Sequence, residues 1–532
     1  MKKGIIIRLV IGILIAALLY YLVLPPINLS SIKFWFFLAL LAIDNFVVNI
    51  ADMGVKVTKN HVNVVSCPKR VWVPLLLIPA MLLIIGIVNL ICGPVFHSNS
   101  WANRIEVNKG VFTEEIKEVD FNKIPLLDKS SSQKLGDRTM GQMSEYVSQY
   151  YVSDLYTQIN YNDEIIRVTP IEYDGLIKWI TNRKNGINAY ITVNSVDGAS
   201  KLVKQEQGMK YMPSAYFNED LERHLRFQYP FDIFGTSRFE IDNDGKPYWI
   251  TPVLKYTGFS MKTEITGAII LDPVTGDSTK YSLKDIPSWV DNVYYADLVI
   301  DQVNDWGEYQ GGFFNSMFGQ KNVVNTTEGY NYLALDDDIY LYTGITSVST
   351  DESNLGFILT NLRTGKTTYY EVPGAEEYSA MDSAKGQVQQ MNYTYTFPLL
   401  INLSGRPTYL VSLKDNAGLV KMYAFIDVQD YQKVVVTDAS DGIVKAANNY
   451  LAKIGTTGSK STLNTTKEIT VKSITSAVRD GNTYYYIVDT AGNKYKVAIS
   501  VSDLLPFITN GDKISVSYYK EADIIEVSEI KG

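Results

Sequence analysis

Three apolar stretches in the first hundred residues constrain this chain more than any other feature. They cover residues 4–24, 33–50 and 71–96. A helix needs about 20 apolar residues to cross the hydrocarbon core of a bilayer. The first and third stretches are long enough by themselves, and the second is long enough when its polar end is included. The sequence therefore predicts an N-terminal bundle of three transmembrane helices within residues 1–98.

A removed secretory signal is the competing interpretation of the first stretch, because Met1-Lys2-Lys3 is a basic start. However, Leu24-Pro25-Pro26-Ile27 offers no small-residue cleavage site, and two more apolar segments follow it. We therefore expect a retained anchor.

Lysine and arginine residues indicate how the bundle is oriented. They precede the first span and crowd the loop between the second and third, whereas the first loop has only Lys33. The positive-inside rule places basic loops in the cytoplasm. The sequence thus predicts a multi-pass cell-membrane protein whose chain beyond Phe96 is extracellular. The residues on the cytoplasmic side are Lys2, Lys3, Arg8, Lys56, Lys59, Lys69 and Arg70.

Asp44 and Asn45 are the polar residues of interest in the second span. An intramembrane carboxylate is costly and often marks an ion pathway or a helix partner. Asp44 lies near the inner end of its span, which favours a headgroup-level or helix-packing role over a proton or ion relay.

Charge and residue usage exclude several classes of function. Eight of the 49 basic and two of the 57 acidic residues lie in the first 98, which leaves 41 against 55 and a formal net charge of −14 beyond them. Such a surface repels phosphate backbones, so nucleic acid is not an expected partner. With 3 His and 2 Cys in 532 residues, we predict no metal centre and no cofactor. The absence of Cys beyond residue 98 favours a Gram-positive surface.

The fold class predicted for the outer part is α+β. Residues 99–230 form a membrane-proximal domain in which the spacing of apolar residues predicts helices over 140–156, 173–183 and 218–227. Alternation predicts strands over 164–168 and 187–196, and residues 130–134 read as a loop.

Residues 231–452 contain an internal similarity. Gly267–Leu283 aligns without gaps on Gly356–Val372, with shared Thr-Gly turns, and residues 244–249 resemble 404–409. We interpret this region as three related β modules over about 239–283, 331–372 and 398–436, with a helix over 375–390. Modules of this size cannot bury an apolar face alone, so they should pack on one another.

The remaining chain predicts a linker and a small barrel. Residues 453–467 are rich in Gly, Ser and Thr, as flexible linkers are. Residues 468–532 then show three strands, a short helix and two strands, which is the order of a five-stranded OB-type barrel.

Residues 221–283 combine a helix, a hairpin at Asp242–Pro247 and the turn Leu271-Asp-Pro-Val-Thr-Gly-Asp277. This arrangement resembles the PepSY type of extracytoplasmic module, whose copies close with an Asp-x-x-Thr-Gly-Asp/Glu turn. The resemblance implies membrane-anchored bacterial envelope proteins with binding or inhibitory roles. The second copy has Asn361 and Lys366 at the acidic positions, and the third lacks the Thr-Gly turn.

The chain lacks a complete catalytic motif. The loop at Glu240–Thr251 lacks the final Glu of a calcium site, and Asp336-Asp337-Asp338 reads as a solvated turn. Ser131-Ser132-Gln133-Lys134 has no accompanying penicillin-binding motifs, and His224 has no triad partners in the sequence. We therefore predict no catalytic residue.

The most unusual local composition is the aromatic run over residues 306–319. Its flat faces suit a sugar ring or a peptide, although a buried aromatic corner would have the same composition. We therefore predict as ligand-binding residues Trp306, Tyr309, Phe313, Phe314 and Phe318.

These observations predict a membrane-anchored extracytoplasmic binding or scaffold protein of the bacterial cell envelope. Its partners would be the bilayer, an envelope protein or a cell-wall polymer, and a second copy of the chain is possible. Two alternatives stay open: a peptidase or glycan hydrolase using carboxylates assembled by the fold, and an accessory subunit of a membrane transport or secretion complex.

Overall fold

The computed structural model describes residues 2–50, 54–58, 61–66, 68–348, 353–454, 465–479, 482–518 and 523–531. It is an α+β structure with three N-terminal helices that are long and apolar enough to cross a membrane. The first two are Lys2–Val23 and Ile32–Asn49. The third is approached by Lys69–Trp72 and Val73–Leu76 and continues as Leu77–Cys92. A short hairpin, Gly54–Thr58 and His61–Ser66, lies between the second and third helices along the chain.

The third apolar stretch is broken at its C-terminal end. Gly93 is extended, and a new helix Pro94–Ala102 begins with the proline at its first position. Proline suits the first turn of a helix because its missing N–H would have no partner there. The span therefore ends before residue 96. Cys92 is a free thiol at that end, and Cys67 lies outside the described residues.

The loop between the first two spans packs against the large body formed by the chain after the third span. The N–H of Ile27 donates to the carbonyl of Pro230 at 2.7 Å, and the N–H of Ser260 donates to the carbonyl of Ser30 at 2.8 Å. Asn89, near the end of the third span, accepts from the N–H of Phe259 at 2.7 Å. The first loop, the C-terminal end of the third span and the large body therefore lie at one end of the helix bundle.

The first sheet is an antiparallel meander in the membrane-proximal region. Its strands are Tyr150–Val152, Thr157–Tyr161, Glu164–Tyr173, Ile187–Asn194 and Ser200–Met209. The helices of this region are Lys129–Gly141, Ser144–Val147, Leu176–Asn182 and Leu221–Gln228.

Two predictions for this region are wrong. No single helix covers residues 140–156, where one was expected. The helix Lys129–Gly141 ends at the start of this range, and the short helix Ser144–Val147 and the strand Tyr150–Val152 follow. The loop expected over 130–134 is instead the start of the helix Lys129–Gly141. The buried face of that helix includes the small residues Ser131, Ser132 and Gly136. The regular spacing of large apolar residues that marks a helix in a sequence is therefore missing.

Three further antiparallel sheets follow along the chain. The second has Ile233–Phe234, Arg238–Ile241, Pro247–Thr257, Lys262–Leu271 and Ser278–Ser282. The third has Val324–Thr326, Asn331–Leu335, Asp338–Ser347, Ser353–Asn361, Thr367–Tyr370 and Gly374–Ala375, with Val107–Gly110 added in parallel. The fourth has Thr394–Tyr395, Leu399–Leu403, Arg406–Lys414, Val420–Asp427 and Val434–Asp438. Their main helices are Ala296–Tyr309, Glu377–Gly386 and Ile443–Lys453.

The two aligned Thr-Gly turns have the same local structure. Gly276 and Gly365 adopt φ of +81° and +74°, a region that glycine enters without steric cost. A tyrosine ring packs on each of them, Tyr211 on Gly276 and Tyr294 on Gly365, closely enough to exclude a Cβ. Whether the three segments are repeats of one module stays a prediction.

Cores join the sheets to one another. One apolar core is shared by the first and second sheets and includes Ile166, Val168, Phe239 and Trp249. A second is shared by the third and fourth sheets with the helices Glu377–Gly386 and Ile443–Lys453. The sheets therefore lie in contact, and cavities form where they meet.

The C-terminal region is a closed barrel of five strands, which adjoin in the order Thr465–Arg479, Asn482–Asp489, Lys494–Ala498, Ile525–Lys531 and Lys513–Tyr518. Residues 465–467, assigned to the linker by composition, belong to the first of these strands. The short helix expected between the third and fourth strands of this region is instead two 3₁₀ turns, Ile499–Val501 and Leu505–Phe507.

Candidate functional site

The aromatic run predicted to bind ligand does not line one groove. Trp306 and Tyr309 belong to the helix Ala296–Tyr309, where Trp306 packs on Tyr369 with ring centroids 6.0 Å apart. Phe313 is half-buried against Phe314, while Phe314 and Phe318 are 67% and 80% exposed. The run therefore divides into a packed part and an exposed part beside the end of the third span.

Asp44 and Asn45 lie within the helix bundle. Asp44 faces the first span at Gly12, where a Cβ atom added to the glycine would lie 3.7 Å from Oδ2 of Asp44. The backbone carbonyl of Asn45 accepts from Nδ2 of Asn49 at 2.9 Å. The position of Asp44 therefore suits helix packing, whereas Asn45 is exposed.

The other motifs considered in the sequence form local structure. Asp242 accepts from the N–H groups of Asp244 and Lys246, so residues 242–246 form a hairpin turn. His224 is buried, with Nε2 2.8 Å from the carbonyl of Gly276. Within the described part of the chain, no group of three His, Cys, Asp or Glu side chains is placed to hold a metal ion.

A cavity of about 390 Å³ lies where the first and second sheets meet the start of the helix Lys129–Gly141. Three cationic side chains line it: Lys129, Arg167 and Arg238. Among the described residues, no carboxylate lies within ion-pair distance of any of the three. We call this space the cationic cavity.

Arg167 and Gln158 form a cross-strand pair in the wall of the cationic cavity. They are directly opposite in the register of Thr157–Tyr161 with Glu164–Tyr173, so their side chains lie side by side on one face. Arg167 is 5% exposed and Gln158 is 4% exposed. Both side-chain polar atoms of Gln158 and the Nε of Arg167 are buried without a hydrogen-bond partner. Gln158 and Arg167 therefore present unpaired hydrogen-bond donors and one unpaired acceptor side by side in the cavity wall.

The three cations also act on one another. Burial lowers the pKa of Arg167, with opposing effects from Tyr332 and Asp128. Burial also lowers the pKa of Lys129, and the guanidinium groups of Arg238 and Arg167 lower it further against the effect of Asp154. An arginine keeps its charge in spite of such a shift. The cavity wall therefore carries three cationic side chains and two carboxylates, Asp128 and Asp297.

Asp128 is a carboxylate in the cavity wall, but it has other partners. It caps the helix Lys129–Gly141 by accepting from the N–H of Ser131, and Nζ of Lys414 lies 2.5 Å from its Oδ2. Burial raises the pKa of Asp128, but the hydrogen bonds from Lys414 and Ser131 outweigh it and leave the pKa below its ordinary value. The charge of Asp128 acts on Arg167, but the two form no ion pair, because the Asp128 carboxylate is bonded to Lys414 and Ser131.

Aromatic residues complete the wall. Burial raises the pKa of each of the phenols of Tyr294, Tyr295 and Tyr332, so these groups stay neutral and can donate a hydrogen bond. Phe397 and the half-exposed Tyr330 also line the cavity. Flat faces and neutral hydroxyls suit a ligand that is part ring and part anion.

A pair of buried carboxyl groups lies beside the cationic cavity. The oxygens of Glu240 accept from the N–H groups of Asp291 and Asn292, both at 2.9 Å. Oδ2 of Asp291 accepts from the N–H of Asn160 at 2.7 Å. Burial raises the pKa of Glu240 to about 7 and, together with the charge of Glu240, raises that of Asp291.

This pair is structural in its contacts. Glu240 is fully buried and Asp291 is 1% exposed, and neither lines the cavity. The neighbouring Asn292 does line it, and its Nδ2 donates to the carbonyl of Gln158 at 2.9 Å. The pair therefore fixes the segment that holds Asn292 against the strand of Gln158.

A second cavity, of about 280 Å³, is mainly apolar. It lies between the third and fourth sheets and the segment from Phe112 to Pro125. Lys117 pairs with Asp336 at its mouth, where both side chains are exposed. Its walls offer few polar contacts, so the cationic cavity is the stronger candidate for a site.

Comparisons with known proteins add little. No family model matches the chain, and no curated protein matches it. A solved structure of Trypanosoma rangeli sialidase in complex with 2,3-difluorosialic acid, a covalent intermediate, is similar at 8% sequence identity and a TM-score of 0.17. The similarity covers 72% of this chain and 53% of that chain, so the chain spans about half the length of the sialidase. A TM-score this low supports no conclusion about fold or activity.

Proposed function

We propose that this protein is a membrane-anchored, extracytoplasmic binding protein whose cationic cavity holds a ligand with a carboxylate or phosphate group. The observation that carries the proposal is Arg167, a buried guanidinium without a carboxylate partner among the described residues. An unpaired buried charge is strongly destabilising. A bound anion would relieve that cost.

The size and chemistry of the cavity limit the ligand. About 390 Å³ lies within the range of small-molecule sites and suits one amino acid or one monosaccharide unit. A planar guanidinium binds carboxylate or phosphate through two parallel hydrogen bonds. The amide of Gln158 would add one donor and one acceptor, and the tyrosine rings would contact a ring. An acidic sugar or a phosphorylated polyol from the cell envelope fits these requirements.

The membrane anchor and the basic loop residues support an extracytoplasmic, cell-envelope location for the cavity. The order of strands in the C-terminal barrel supports an OB-type barrel, and the Thr-Gly turns at Gly276 and Gly365 support PepSY-like modules. These features belong to the proposal, and the anion site depends on none of them.

Anion binding can be tested with the detergent-purified full-length protein. Thermal unfolding, followed by tryptophan fluorescence, is measured with inorganic phosphate, glucuronate or chloride at matched ionic strength. A ligand at 100 times its dissociation constant adds about 2.7 kcal/mol to the free energy of unfolding. We expect phosphate or glucuronate to raise the unfolding midpoint by several degrees more than chloride does. Equal effects of all three salts in the wild-type protein would contradict the proposal.

A hydrolase is the second candidate, because Glu240 and Asp291 are the kind of close, buried carboxyl pair that such an enzyme needs. Their hydrogen bonds to backbone N–H groups and their lack of exposure speak against contact with a substrate. Turnover of wall fragments that is abolished by Asp291→Asn would favour the enzyme.

A further inference from the structure

Two apolar surface patches lie near the outer ends of the membrane spans. Patch one comprises Leu176, Ile177, Ile180 and Phe217, which are 43%, 74%, 56% and 60% exposed. Patch two comprises Phe314, Met317 and Phe318, which are 67%, 56% and 80% exposed. Large apolar groups that cluster at a surface mark an interaction site.

Patch one is connected to the end of the first span by direct contacts. Phe217 packs on Trp179 of the helix Leu176–Asn182 with ring centroids 5.6 Å apart. Its carbonyl accepts from Nη1 of Arg223 at 2.8 Å, and that guanidinium lies 4.4 Å from the ring centroid of Tyr21. Tyr21 belongs to the last turn of the helix Lys2–Val23. Patch one is thus two contacts away from the outer boundary of the bilayer.

Patch two is connected to the end of the third span. A side chain at Gly312 would lie 3.9 Å from Oγ of Ser98, in the helix that follows the break at Gly93. The ring of Tyr309 lies 6.4 Å from that of Trp101 in the same helix. The exposed rings therefore lie within a few turns of the point where the third span ends.

Charge near patch one points to lipid headgroups. The helix Leu176–Asn182 carries Lys178, and the exposed Lys184 follows it, so one short segment combines apolar and basic side chains. Helices that lie at a membrane surface combine aliphatic or aromatic residues with lysine in this way. Phenylalanine rings such as those of patch two occur among the apolar residues with which proteins enter the membrane interface.

From these contacts we infer that both patches insert into the interfacial region of the bilayer leaflet that faces the large body. The patches would hold the body down on the membrane on two sides of the helix bundle. In this orientation, soluble molecules can reach only the surface of the body that does not contact the membrane. The inference does not depend on the ligand of the cationic cavity or on which face of the membrane the body occupies.

Spin labels measure the depth of each patch directly. Single cysteines are placed by Ile177→Cys or Phe318→Cys in a Cys67→Ser, Cys92→Ser background and labelled with a nitroxide. Phe507→Cys is the matched control, because Phe507 is 78% exposed on the C-terminal barrel. The labelled full-length proteins are studied in nanodiscs of equal parts phosphatidylcholine and phosphatidylglycerol.

Collision with oxygen reports contact with lipid, and collision with a water-soluble nickel chelate reports contact with water. We expect the oxygen-to-nickel collision ratio at positions 177 and 318 to be several-fold higher than at 507. Ratios equal to that at 507 would place the patches in water and overturn the inference. Protection from both reagents would instead indicate a protein interface, and would overturn it as well.

Discussion

Replacement of Arg167 by methionine is expected to reduce the affinity for phosphate or glucuronate about 100-fold. The variant removes two charge-assisted hydrogen bonds in a buried site, a loss of about 3 kcal/mol. The ligand-free protein should respond in the opposite direction. Its unfolding midpoint should rise, because a buried and unpaired charge is replaced by an apolar side chain of similar length. Calorimetric titration and thermal unfolding measure the two effects.

Arg138→Met is the matched control, since Arg138 is exposed and lies on the same helix that begins at the cavity. It should change neither the affinity nor the unfolding midpoint. A loss of affinity in Arg167→Met together with a lower midpoint without ligand would mean that Arg167 has a structural partner within the chain. An unchanged affinity would remove Arg167 from the site.

The stability of the body is expected to fall as the pH rises from 5 to 8. The pKa of Glu240 is about 7 in the folded protein against an ordinary value of 4.5. The folded state therefore keeps a proton that the unfolded chain has released, so stability is fully present below pH 4.5 and is lost as the pH rises through 7. Asp291, whose pKa is also raised, acts in the same direction.

Other charged side chains also act on the two carboxyl groups. Arg238 acts on Glu240, while Asp338 and Arg363 act on Asp291. Asp291→Asn removes the repulsion and keeps an acceptor for the N–H of Asn160. This variant loses the titration of Asp291 but keeps the burial of Glu240, so its unfolding midpoint, measured by tryptophan fluorescence, should fall less between pH 5 and pH 8 than that of the wild type. Asp382→Asn, at an exposed position, should behave as the wild type. Equal falls in all three proteins would contradict this account of the pair.

The spans and most strands of the structure were predictable because their signals are local. Hydropathy over about 20 residues marks a span, and period-two alternation marked strands such as Ile187–Asn194. The barrel was predictable because turns with glycine separate its strands. The helix Lys129–Gly141 was missed because it buries Ser132 and Gly136 instead of large apolar residues, and Gly136 contacts Tyr156. Asp128 at its N-cap was the one available signal.

The cationic cavity could not be predicted, because its residues come from separate elements that only tertiary packing brings together. Lys129 begins a helix, Gln158 and Arg167 lie on neighbouring strands, and Arg238 belongs to another sheet. One signal was present in the sequence. Arg167 interrupts the apolar run Ile165-Ile-Arg-Val168 of a strand that is buried on both faces. Arginine is almost never fully buried unless its charge is paired, so an arginine in such a strand indicates a binding partner.

The central claim is that a ligand supplies the counter-charge that Arg167 lacks. Crystals of the full-length protein, grown without sulfate or phosphate and soaked in selenate, test it most directly through the anomalous scattering of selenium. The account predicts an anomalous peak within hydrogen-bonding distance of the Arg167 guanidinium, and no such peak in crystals of Arg167→Met. Selenate bound elsewhere, with the guanidinium of Arg167 paired to a carboxylate of the chain, would contradict it.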